Sequence, residues 1–288
     1  MNPSCFYRAA WLAAVLLSFG LAHAALADAP VRVFVASTGN DAAAGGRTSP
    51  KRTFQAAHDA VAAGGEIVVL DTAGYGSLTI TKSVTVTVPP GVNGFAALSG
   101  TPDNSAAITV NAAGTDTVTL RGLVITGGDS SNQGAGVLAN SFRTLRIEDC
   151  TFTRVIYGVD CNVSSPSRLI MTRTRMRTTL AGVFVQGACD AVVTDCQVDD
   201  CYYYGIFAVN DGSTSSSTVT VSRCAVSNCN RGIIMIGEGA IAYVDACTIF
   251  DNNYGIASDE FGILITRGNN SFAGNANDGS FTASVPAR

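Results

Sequence analysis

Three stretches, AVVTDCQVDDCYYYGI at 191–206, VTVSRCAVSNCNRGI at 219–233 and AYVDACTIFDNNYGI at 242–256, are copies of one unit. Each opens on two apolar residues two positions apart (Ala191 and Val193, Val219 and Val221, Ala242 and Val244). Each then breaks before a Cys, resumes with Val or Ile two residues later, and closes on Gly-Ile. The same unit reads back through Leu145, Ile147, Cys150, Phe152 and Gly158-Val159, and through Leu169, Met171, Thr174, Met176 and Gly182-Val183. The closing glycines, Gly158, Gly182, Gly205, Gly232 and Gly255, are spaced by 24, 23, 27 and 23 residues. Val118, Leu120, Leu123 and Ile125 match the start of the unit, and Ile263 with Ile265 matches its last appearance.

A period of this length marks a solenoid, and alternation at every second residue marks strands within it. The Leu and Asn spacing of leucine-rich repeats is missing, as is the helical periodicity of ankyrin and tetratricopeptide units. The pattern predicts an all-β chain, a right-handed parallel β-helix of about nine coils with neighbouring strands about 4.8 Å apart. A short amino-terminal helix should cap it. In Thr53-Phe-Gln-Ala-Ala-His-Asp-Ala-Val-Ala-Ala63, residues Phe54, Ala57 and Val61 share one helical face, and Gly64-Gly65 stops the helix. His58, on that helix and away from every charged cluster, is expected at the surface.

Residues 1–27 read as a signal peptide: Arg8 precedes an uncharged, mostly apolar run from Ala9 to Leu21, followed by small-x-small sites with cleavage expected after Ala27. The remainder, 28–288, is expected to form one domain. It divides into an amino-terminal segment with the cap helix (28–65), the coils (66–272) and a carboxy-terminal tail (273–288). No later apolar run reaches membrane-spanning length. The sequence thus predicts a secreted, periplasmic or cell-surface protein with no transmembrane segment after signal removal. A formal net charge of −4 argues against nucleic acid as partner. The oligomeric state is open.

Stacking the units places Cys150, Cys196, Cys224 and Cys247 in one column with Thr174, as a structural ladder of small inward side chains. Cys201 and Cys229 share a second column, where adjacent-strand spacing fits a disulfide; Cys161 with Cys189 is another candidate pair, at differing offsets within the unit. Neither a C-x-x-C spacing nor a histidine cluster suggests zinc, and no cofactor is expected. The residue before the ladder runs Asp149, Arg173, Asp195, Arg223, Ala246, which reads either as a charged binding strip or as a row of ion pairs between stacked coils. Tyr202-Tyr203-Tyr204 is the candidate carbohydrate-binding cluster, the alternative being one ring packed inward and the others covering a turn. The polar insert 211–218 accounts for the 27-residue spacing and should form a loop on one face.

The chain resembles the pectate-lyase-like family of right-handed β-helix proteins. The residues that carry this are Val33-Phe-Val-Ala-Ser-Thr-Gly-Asn-Asp41, Ser49-Pro50, Thr53-Phe-Gln-Ala-Ala57, Gly64-Gly-Glu-Ile-Val-Val69, Gly74-Tyr75 and Ile80-Thr-Lys-Ser-Val84. The resemblance runs from about Val31 to Phe272 and implies a polysaccharide partner. It implies catalytic residues only weakly. Of the Asn-x-Asp, Asp-Asp, Gly-His-Gly and Arg-Ile-Lys motifs of polygalacturonase-like hydrolases, only Asp199-Asp200 is present. The calcium carboxylates and arginine base of pectate lyases could be drawn only from Asp195, Asp199, Asp200, Arg223 and Arg231, with calcium confined to that alternative. Tyr254-Gly-Ile-Ala-Ser-Asp-Glu260 echoes an acidic motif of uronate epimerases without its histidine. The expectation is therefore a polysaccharide-binding or envelope protein without a recognisable catalytic site, the alternative being a polysaccharide lyase, uronate epimerase or glycoside hydrolase acting on an acidic glycan.

Overall fold

The computed structural model describes residues 29–98, 106–127, 134–177, 180–210, 212 and 216–285. The expected signal peptide lies outside the described residues, as do 211 and 213–215 of the polar insert.

A full turn of the chain carries three strands. Thr144–Glu148 runs along what we call the flank face, Thr151–Thr153 along a narrow face, and residues 157–163 along a glycine face. The strand Tyr157–Thr172 then bends, with a register shift between Val163 and Ser167, so that residues 167–172 lie on the flank face of the next turn. Every strand-to-strand pairing between turns is parallel. Leu145 stands beside Val118 and Leu169, Ile147 beside Leu120 and Met171, and Phe152 beside Ile125 and Met176. Because side chains alternate across a strand, these columns all face inward, and each of these residues is at most 2% exposed. The flank and glycine faces form one 17-stranded sheet and the narrow face a second sheet of nine.

The repeating glycines have a steric cause. A Cβ on Gly182 would lie 2.6 Å from the carbonyl oxygen of Gly205, and one on Gly205 would lie 2.5 Å from that of Gly232. Neighbouring turns approach too closely there for any side chain. At the flank-to-narrow corner the chain bends from one face to the next through a single left-handed residue: Asp149, Arg173, Asp195, Arg223 and Ala246 have φ between 48° and 55°. A second set of such corners, Asp200, Asn228 and Asp251, follows the narrow strand.

The cysteine ladder forms as expected. Cys150, Cys196, Cys224 and Cys247 are buried behind the first corner, and burial pushes the Cys150 thiol up to about 12. The column continues as Asn270, whose Oδ1 accepts from the Cys247 N–H at 2.9 Å. Cys201 and Cys229 continue likewise into Asn252 and Asn275. Asn252 accepts from the Cys229 N–H at 3.0 Å and donates to the Val226 and Phe250 carbonyls at 3.1 and 3.0 Å and to Asn275 Oδ1 at 3.0 Å. Thiols fill the middle of each column and amides the carboxy-terminal end. All eight described cysteines are free thiols here.

The helix Phe54–Ala60 is capped by Thr53, whose side chain accepts from the Ala56 N–H at 3.2 Å. Phe54 packs on Tyr75 with ring centroids 5.1 Å apart, and both are fully buried. Among the described residues no helix is long and apolar enough to cross a membrane.

Three expectations change, and the tail adds a detail. Nine strands stand on the narrow face but only eight residue runs on the glycine face, from Leu78–Ile80 to Tyr254–Asp259, because the last narrow strand, Ser271–Ala273, is followed on the glycine face only by a single bridge from Asn277 to Tyr254; complete turns number about eight, not nine. In the last turn the inward residues are Leu264 and Thr266, which pair with Ala242 and Val244, so Ile263 and Ile265 point outward. Unbroken apolar sequence at Ile263-Leu-Ile265 hides that one-residue difference. His58 is 2% exposed rather than at the surface: its Nε2 accepts from the Thr81 N–H at 3.3 Å, and burial lowers its pKa. The tail returns to the stack, with Ala283–Ser284 pairing to Ile265 and Thr266.

Candidate functional site

The charged corner resolves into ion pairs. Arg173 Nε and Nη2 donate to the two oxygens of Asp149 at 2.7 and 2.9 Å, and Arg223 makes the same two bonds to Asp195. Both carboxyls are held below the ordinary range, chiefly by the guanidinium hydrogen bonds. Alternating signs along the axis thus satisfy one another.

The acid pair beyond the narrow strand is similarly engaged. Asp199 Oδ1 accepts from Ser227 Oγ at 2.9 Å and Asn228 Nδ2 at 2.7 Å, while Asp200 pairs with Arg177 at 3.0 Å. Arg231 pairs instead with Asp259 at 2.6 Å. Asp195 and Arg223 occupy the first corner, Asp199 ends the narrow strand, Asp200 forms the second corner, and Arg231 lies on the glycine face. The five weak catalytic candidates are therefore distributed round the turn rather than drawn to one point. Among the described residues no group of three or more His, Cys, Asp or Glu side chains could hold a metal ion.

The tyrosine run extends into something larger. None of the three rings enters the core: Tyr202 and Tyr203 are 71% and 42% exposed, and Tyr204 is half-buried on the outer side of the glycine face. Register there aligns Tyr157, Ala181, Tyr204, Arg231 and Tyr254 in one outward row. A second outward row runs Asp160, Phe184, Phe207, Ile234. The aromatic members touch in sequence. Tyr157 lies 5.8 Å from Phe184, Phe184 5.1 Å from Phe207, Phe207 4.6 Å from Tyr204, Tyr204 5.8 Å from Tyr203, and Tyr203 4.6 Å from Tyr202. Beyond this run, Arg231 sits over the Tyr254 ring at 5.8 Å.

Six contiguous rings thus run along and across three turns. Asp160 begins the second row, and its burial raises its pKa; burial also raises that of Tyr157. Asn162 donates to Gln186 Oε1 at 3.2 Å along the neighbouring outward row. This face offers flat apolar surface edged by amides, a carboxyl and an ion pair, the composition of a site for a ligand with both apolar and hydroxylated sides. Phe184, Phe207 and Tyr157 escaped the sequence reading: Tyr157 and Phe184 are each the single aromatic of their strands, and Phe207 stands apart from the tyrosine run, three residues beyond Tyr204. Aligning the units by their glycines would have stacked Phe184 over Phe207, both two residues after the glycine.

The model of the right handed beta helix region matches residues 106–279. The chain belongs to the right-handed β-helix family. Two solved structures share the fold. One is a pectate lyase, Pel9A, 13% identical, with a TM-score of 0.62 over 88% of this chain and 79% of that one. The other is a rhamnogalacturonan lyase, 14% identical, with a TM-score of 0.57 over 77% of this chain and 75% of that one. No curated protein sequence matches the chain. The expected pectate-lyase-like β-helix is thereby established for this family member as a fold.

Proposed function

We propose that this β-helix protein is exported to the periplasm, cell surface or medium and binds a polysaccharide along its glycine face, without a lyase-type catalytic centre. The observation that carries the reading is the aromatic run from Tyr157 to Tyr202, whose rings lie along the solenoid axis where a polymer can follow successive turns. The two neighbouring folds are named as lyases of pectate and rhamnogalacturonan, which supports a glycan as the ligand class. Mutual pairing of Asp195 with Arg223 and of Asp200 with Arg177 supports a binding rather than a bond-breaking role for those residues.

Binding of the mature protein to a panel of immobilised plant and bacterial polysaccharides tests this. Phe184→Ala and Tyr203→Ala should each weaken binding about tenfold, the loss expected from removing an aromatic contact and its buried area. Wild-type affinity in both variants would overturn the reading. The enzymatic alternative predicts unsaturated or shortened products from acidic glycans, with or without calcium, and abolished turnover on Asp199→Asn or Arg223→Gln.

A further inference from the structure

A different face carries a second feature. Arg143, Arg146 and Arg168, with Thr144, Pro166, Ser167, Ile170 and Asp190, line an open cleft of about 540 Å³ on the flank face. Register brings them together. Arg168 pairs with Thr144 on the preceding turn and Asp190 on the next, Arg146 pairs with Ile170, and the Arg168 N–H donates to the Arg143 carbonyl at 3.0 Å. Arg146 lies two residues beyond Thr144 on one strand and so projects from the same side.

All three arginines are exposed, and among the described residues none forms an ion pair. Arg32, Arg121, Arg173, Arg177, Arg223 and Arg231 each have a carboxylate partner. The acid nearest in sequence to Arg146, Glu148, is held by two donors of Arg121 at 3.0 and 2.8 Å. Asp190 neighbours Arg168 in register without reaching ion-pair distance. Three like charges on adjacent strands repel, and a ligand anion would relieve that repulsion. Other arginines, Arg47 and Arg175 among them, also lack an ion pair among the described residues; what sets these three apart is that they line one cleft with a single carboxylate, Asp190.

We propose that this cleft binds the carboxylate or sulfate groups of an acidic glycan, with the guanidinium forks on the anion and Asp190 accepting from a sugar hydroxyl. It shares the ligand class of the proposed function but uses separate residues. A chain held on the glycine face needs no negative charge; one held here does.

The mature protein is titrated with polygalacturonate, a sulfated glycosaminoglycan, a neutral glucan and single-stranded DNA at two salt concentrations. Wild type should bind at least one acidic glycan in a salt-weakened manner. Arg143→Gln/Arg146→Gln/Arg168→Gln should lose tenfold or more of that affinity, about the worth of one charged fork, while retaining its circular dichroism. Arg32→Gln serves as the control. Arg146→Gln and Arg168→Gln singly, each weakening binding in part, keep the test open if the triple variant misfolds. Acidic-glycan binding unaffected by these changes, absent altogether, or exceeded by DNA binding through the same residues would overturn the proposal. Loss confined to Phe184→Ala and Tyr203→Ala would overturn it while leaving the proposed function standing.

Discussion

Replacing Asn252 by Ala tests how the carboxy-terminal turns are held. Asn252 is 2% exposed and its amide accepts from the Cys229 N–H, while the two hydrogens of its Nδ2 are shared among three acceptors, the Val226 and Phe250 carbonyls and Asn275 Oδ1. Alanine leaves the Cys229 N–H buried without its acceptor, a cost of about 1–3 kcal/mol, and forfeits the donated bonds at about 0.5–1.5 kcal/mol each. Allowing for relaxation, N252A should lose about 3 kcal/mol. Its neighbour Asn253 is exposed and donates once, to Asn230 at 2.9 Å, so N253A should lose less than about 1 kcal/mol. Urea unfolding followed by far-ultraviolet circular dichroism measures both. Equal losses in the two variants would refute the assignment of stability to the inward amide column.

Three further outcomes are expected. Gly182→Ala should destabilise by about 1–3 kcal/mol in the same assay, because its Cβ meets backbone that cannot swing away; an unchanged midpoint would mean the turns are not in close register. His58 has a lowered folded pKa, so its contribution is present above the unfolded value of about 6.5 and is lost as pH falls from there towards the folded value. Melting temperatures at about pH 7.5 and about pH 5.5 should therefore differ less in His58→Gln than in wild type, and an equal difference would count against the buried neutral ring. The Cys161 and Cys189 sulfurs lie 3.3 Å apart, within reach of bonding by exchange with a disulfide oxidant, which would take up the two thiol hydrogens. Alkylation and peptide mass spectrometry of protein secreted through an oxidising compartment should show that link; two alkylated thiols there would refute it.

Much of the fold was legible because inward columns repeat residue chemistry: Cys above Cys, Val above Val, and Gly wherever turns nearly touch. The Asp-Arg alternation was legible for the same reason, since stacked like charges need opposite neighbours. Legibility failed where a position is set by something other than the column. Ile263, Leu264 and Ile265 are all apolar, so period two could not say which faced inward. Cys161 and Cys189 pair in the sequence only across differing offsets; their sulfurs come within 3.3 Å where the strand shifts register between Val163 and Ser167, a shift that no offset count reveals. His58 is buried by its neighbours' packing, not by its own helix pattern. The site was half visible: Tyr202, Tyr203 and Tyr204 advertise themselves as a run, whereas Phe184 and Phe207 become one surface only when turns are superposed.

The returning strand Ala283–Ser284 has an outcome beyond its own few bonds. It occupies the exposed margin of Ile263–Thr266, with Thr282 bonded to Leu264 in both directions and the Val285 N–H donating to the Thr266 carbonyl at 2.8 Å. Parallel strands offer the same repeating template at their last turn as at their first. A chain truncated before Phe281 would leave that template bare, an unpaired edge on which any extended segment could add itself as one more strand.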